Sequence, residues 1–185
     1  MQAMLKACLH RCIDAEVGHD AADHHIFFAL FRQIFQHDDG PGTGFSIGDD
    51  EFDIYSEFAP LQTEKRFVKT VCNAFKKESG LLEYLTAKGE KDVMVCGIMT
   101  DFCINATIEA GFEHDFHMIV PAYANSTQDN EYMTGEQSYH YYNEFLWPDC
   151  YAGKAMLWTS LVFANSSELR WIQWLIGCKA TPTTI

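Results

Sequence analysis

The stretch CGIMTDFCINAT, residues 96 to 107, sets two cysteines seven positions apart with no histidine between them. Structural zinc sites draw ligand pairs from tight turns two to four residues apart, so this spacing does not fit a metal. A nucleophile fits better. The β-rich run DVMVC, residues 92 to 96, ends at Gly97, and a helix is predicted from about Thr100, whose hydroxyl would cap the amide three residues on, that of Cys103. A thiol in the first turn of a helix sits among unbonded N–H groups and the positive end of the macrodipole, which favour thiolate and can hold an oxyanion. Local features leave this reading level with that of an ordinary buried cysteine, a common fate of this residue type. Cys96, inside the apolar run, reads as core.

The elements that must position these groups follow from periodicity. Residues 1 to 17 carry an apolar stripe (Met1, Leu5, Cys8, Leu9, Cys12, Ile13) opposite Lys6, Arg11 and Asp14, and predict an amphipathic helix stopped by Gly18. IFFALFRQIFQ, residues 26 to 36, predicts a buried strand, with a short helix as the alternative, and HDDGPGTGF after it is turn chemistry. RFVKT (66 to 70) predicts a short strand and Phe75 to Lys88 a helix closed by Gly89. The strand 92 to 96, a helix from Thr100 to about Ala110 and a strand HMIVP (117 to 121) continue the alternation. Residues 131 to 146 suggest a further helix, and AMLWTSLVFA (155 to 164) a last strand. Strands alternating with helices imply a parallel sheet flanked by helices, in one domain without repeats or linkers.

Composition narrows the partners. A net charge of -13 and pI near 4.8, with no local cluster of basic residues, disfavour nucleic acid and anionic lipid. The longest apolar run, Ile26 to Phe31, is far short of the roughly 20 residues a bilayer needs, and the first residues lack a signal-peptide core. A cytoplasmic location is expected. Seven cysteines at irregular spacing then read as reduced thiols rather than a disulfide framework.

The segment VMVCGIMTDFCINATIEAGFEHDFHMIVPAYANST resembles the signature of the isochorismatase-like cysteine hydrolase superfamily, and TEKRFVKTVCNAF and QHDDGPGTGF extend the similarity over about residues 34 to 150. The resemblance implies a three-layer α/β/α fold with a mostly parallel sheet and a catalytic Asp, Lys and Cys on its C-terminal edge. Cys103 corresponds to the nucleophile and Lys69 to the catalytic lysine. The family's cis peptide would join Ile98 to Met99 and turn the Met99 amide, with that of Cys103, into an oxyanion hole. A small-molecule substrate (an amide, a ureido compound or isochorismate), no cofactor and a homo-oligomer are implied. The metal-binding branch uses Asp-x-His with a further histidine, a constellation absent here, so no metal is expected. For Lys69 the bland alternative is a solvated surface lysine; His37 reads as structural and its HDDG turn as a pocket wall or a plain turn.

The family's catalytic Asp closes its first strand, and no such segment precedes residues 1 to 17. Asp14, in CIDAE, is the candidate acid, with Asp20 and Asp23 behind it. Reading CIDAE as that strand leaves eleven residues for a crossover that usually needs a dozen or more. The expectation is therefore a domain that begins after the family's first strand and lacks that central strand unless another run replaces it. Trp158, Trp171 and Trp174 in the tail would cover exposed core or form an interface. Two further readings stand: a catalytically deficient scaffold or interaction protein, and a redox-sensing thiol protein with a resolving cysteine near Cys103.

Overall fold

The computed structural model describes residues 33–54, 62, 64–120, 123–151 and 172–176. The predicted helix at 1 to 17, Asp14, Asp20, Asp23 and the strand predicted at 155 to 164 lie outside these residues. In chain order the elements are β1 (Gln33–His37), β2 (Lys65–Lys69), α1 (Leu81–Lys88), β3 (Asp92–Ile98), α2 (Asn105–Glu113), β4 (His117–Ile119), β5 (Asn125–Ser126), α3 (Gly135–His140), α4 (Trp147–Cys150) and β6 (Ile172–Ile176). A wide π-type turn, Thr100–Ile104, leads into α2, and a second, Tyr141–Leu146, joins α3 to α4.

The strands form one sheet in the order β2-β1-β6-β3-β4, with β5 pairing the end of β3, and every pairing is parallel. This is an α/β fold, as the alternation of patterns implies. The vacant centre expected from the sequence is filled: β6, from the tryptophan-rich tail, pairs with β1 on one side and β3 on the other. Its backbone groups thus complete two ladders that would otherwise end at bare edges.

β3 is buried continuously from Val93 to Ile98, the signature of a strand covered on both faces. β2, at the sheet edge, alternates instead, burying Phe67 and Lys69 and exposing Val68. Phe67 stacks on Phe35 of β1 with ring centroids 4.8 Å apart. Around this pair the core gathers Leu81 and Leu85 of α1, Ile108 of α2 and Trp147, whose indole Nε1 donates to Asn105 Oδ1 at 2.9 Å. Each such side chain contributes roughly 1.5–3 kcal/mol by leaving water.

Boundaries differ from expectation where glycine geometry decides. The helix predicted from Phe75 begins at Leu81, because Gly80 takes a left-handed conformation (φ 73°) that ends a short 3-10 turn at Lys77–Ser79. Gly89 stops α1 as expected, its amide donating to Leu85 and Thr86 carbonyls. The helix suggested over 131 to 146 begins at Gly135, where Thr134 and Gln137 form a capping box, and runs on to Cys150 through its wide turn. No described helix is long and apolar enough to cross a membrane.

Candidate active site

Parallel strands deliver their C-terminal ends to one edge of a sheet, which is where α/β folds place their ligands. β1 ends at His37 and β2 at Lys69, and the two residues are direct register partners. The Asp38 amide continues the ladder by donating to the Lys69 carbonyl at 2.8 Å. β3 ends at Ile98, the Ile98–Met99 peptide bond is cis, and the wide turn then carries Cys103. Ile98, Met99 and Cys103 pack as one buried cluster, with Cys72 against it.

The turn is held differently from the cap the sequence suggested. The Thr100 hydroxyl does not cap the amide of Cys103; it donates to Asn125 Oδ1 at 2.9 Å. Asn125 Nδ2 donates in turn to Asn143 Oδ1 at 2.8 Å, and Asn143 Nδ2 reaches the Tyr139 carbonyl at 2.9 Å. All three side chains, Thr100, Asn125 and Asn143, are buried. The Met99 carbonyl accepts from both Phe102 and Ile104 amides, which is what widens the turn. Thr127 donates to Asp101 on the same turn.

Lys69 is 3% exposed, not a solvated surface lysine. Its ammonium has three N–H donors, and three acceptors meet them: Cys103 Sγ at 3.1 Å, the Val71 carbonyl at 3.0 Å and His37 Nδ1 at 3.2 Å. Because Nδ1 accepts, the His37 proton sits on Nε2, which faces Asp39 Oδ1 at 3.1 Å. Burial pushes Lys69 down to about 8 from its ordinary value of 10.5, against the upward pull of Cys72 and Asp39. Burial also lowers His37, helped by the Lys69 charge and opposed by Asp39 and Asp38. Asp38 itself is lowered by hydrogen bonds from Ser46 Oγ and the Gly40 amide.

The structure therefore brings Lys69, Cys103, Ile98 and Met99 together, while Asp14 is outside the described residues. Two groups that sequence reasoning set aside, His37 and Asp39, belong to the same cluster. Their signal was the register: the residue closing β1 lies beside the residue closing β2. Cys103 is wholly buried and its sulfur is disulfide-bonded. That corrects the expectation that all seven cysteines are reduced, although Cys72, Cys96 and Cys150 are thiols. Nucleophilic chemistry at Cys103 belongs to the reduced protein.

Residues 19–139, well over half of the chain, match the family model of the isochorismatase domain. The chain belongs to the isochorismatase family. Over 64 residues it is 34% identical to YddQ, an uncharacterized isochorismatase family protein of Bacillus subtilis (strain 168), a match that spans 35% of each chain. Among solved structures, an isochorismatase-like hydrolase from Alkaliphilus metalliredigens superposes with a TM-score of 0.62 at 17% identity, covering 87% of this chain and 80% of the other. N-carbamoylsarcosine amidase from Thermoplasma acidophilum gives 0.58 at 16% identity, covering 80% and 81%. A cysteine hydrolase from Pseudomonas syringae pv. phaseolicola 1448A gives 0.55 at 16%, covering 77% and 70%. At these identities the likeness is one of fold, and this chain carries the isochorismatase-type hydrolase fold.

Proposed function

We propose that this isochorismatase-family protein is a hydrolase of small amide, ureido or isochorismate-type substrates, with Cys103 as nucleophile. One observation carries the reading: a buried ammonium, Lys69, donates to the Cys103 sulfur at 3.1 Å from 34 residues away in sequence. A cation at that distance lowers a thiol's pKa, and a buried lysine near 8 can release its proton close to neutral pH. With an amide, the thiolate attacks the carbonyl carbon and the C=O electron pair moves to oxygen, beside the Met99 and Cys103 amides. Collapse expels the amine, which takes a proton from Lys69, and leaves a thioester. Water then adds to the thioester, releasing the acid and returning one proton to the site. The ureido class is included because a neighbour in fold is named as an N-carbamoylsarcosine amidase.

The test is turnover of a panel of primary amides, N-carbamoyl amino acids and isochorismate by the reduced protein, with Cys103→Ala as control. Hydrolysis that vanishes in the variant supports the proposal; hydrolysis that survives unchanged overturns it. A second reading, a non-catalytic scaffold, draws on the complete burial and disulfide of Cys103. Turnover of any panel compound with loss in Cys103→Ala excludes it.

A further inference from the structure

The site holds a histidine and a carboxylate that the proposed chemistry has not used. Among the described residues Lys69 touches no carboxylate directly: its three donors go to a sulfur, a carbonyl and an imidazole. The acid nearest in the hydrogen-bonded line is Asp39, one imidazole away. We propose that His37, held by Asp39, is a positioning residue that sets the orientation and charge of Lys69, so that Asp39, His37, Lys69 and Cys103 act as one line. This rests on Cys103 being the nucleophile.

Geometry supplies the argument. An ammonium with two acceptors can swing about its stem; with three it is fixed, and the third acceptor here is His37 Nδ1. That nitrogen accepts only when His37 is neutral and its proton is on Nε2, the tautomer that Asp39 selects at 3.1 Å. Protonated His37 would turn an N–H and a positive charge toward Lys69 and drive the ammonium from the sulfur. The charged and titratable groups around His37 among the described residues are Lys69 on β2, Asp38 and Asp39 on its own loop and, next to Lys69, Cys72 and Cys103. Burial and Lys69 together keep the imidazole neutral near pH 7.

The experiment reads the thiol itself and needs no substrate. The full chain, reduced and desalted, is alkylated with iodoacetamide between pH 4.5 and 9, and the rate at Cys103 is followed by peptide mass spectrometry. His37→Asn places an amide oxygen, two bonds from Cβ as Nδ1 is, where the acceptor stood, and it cannot be protonated. It should react within about threefold of wild type at pH 7 and lose the steeper fall at low pH, whereas His37→Phe should slow Cys103 about tenfold or more. Asp39→Asn removes an anion that raises His37 and should move the low-pH break to lower pH. Circular dichroism checks that each variant folds. His37→Asn as slow as His37→Phe, His37→Phe as fast as wild type, or an unmoved break in Asp39→Asn would overturn the inference. If His37→Phe does not fold, the Asn variants decide it. A wild-type Cys103 no faster than a free cysteine peptide would instead sink the nucleophile reading beneath it.

Discussion

Lys69→Met, made in a Cys103→Ala background so that this thiol does not titrate, tests the burial argument quantitatively. Lys69 falls from 10.5 in the unfolded chain to about 8 when folded, chiefly because its charge leaves water. Below pH 8 both states hold the proton and the folded state bears the whole cost of the buried charge, about 3.4 kcal/mol for 2.5 units. Between pH 8 and 10.5 the unfolded chain binds more protons, so wild-type stability rises with pH. Integrating from pH 7 to pH 10 gives a gain of about 2.5 kcal/mol relative to the methionine variant. The variant leaves His37 Nδ1 and the Val71 carbonyl without their donor, but that cost is the same at both pH values and cancels. Urea denaturation of both proteins at pH 7, 8, 9 and 10 measures the difference. A stability gap that stays constant within about 0.5 kcal/mol, or closes in the opposite direction, would refute the depressed lysine.

Other substitutions probe the supports of the site. Asn125→Ala should cost about 2–3 kcal/mol in urea denaturation, because it strands the Thr100 hydroxyl and the Asn143 amide inside the protein. Phe35→Ala removes a wholly buried ring stacked on Phe67 and should cost about 3–5 kcal/mol. Gly135→Ala in the first turn of α3 should lower the melting temperature rather than raise it, since a Cβ there would lie 2.7 Å from the Thr127 carbonyl oxygen. The intrinsic helix preference of alanine, about 1 kcal/mol, acts in the opposite direction, so the sign of the shift decides which effect wins.

The Lys69–Cys103 pair was legible only through the resemblance of the two motifs to the isochorismatase-like signature, since local features left Cys103 level with an ordinary core cysteine. Strands β3 and β4 were legible because buried parallel strands write themselves as short apolar runs, and edge strand β2 because its residues alternate between buried and exposed. His37 was passed over because a histidine opening a turn has no periodic signature; only the pairing of β1 with β2 shows that it abuts Lys69. The Thr100 cap was misread for a similar reason, since its hydroxyl bonds to Asn125, 25 residues away, and long-range polar partners leave no local pattern. β6 escaped notice because its five residues, IQWLI, mix a glutamine and a tryptophan into a run that neither alternates nor stands apart from its tail.

The placement of β6 has a consequence for how the chain is made. Its neighbours in the sheet, β1 and β3, emerge from a ribosome some 135 and 75 residues ahead of it. Until residue 176 is synthesised the two halves of the sheet share no ladder, and each presents an open parallel edge to its surroundings. Nascent chains stopped before residue 172 should therefore stay sensitive to protease and lean on chaperones, whereas a short extension past β6 should let the sheet lock in a single late step.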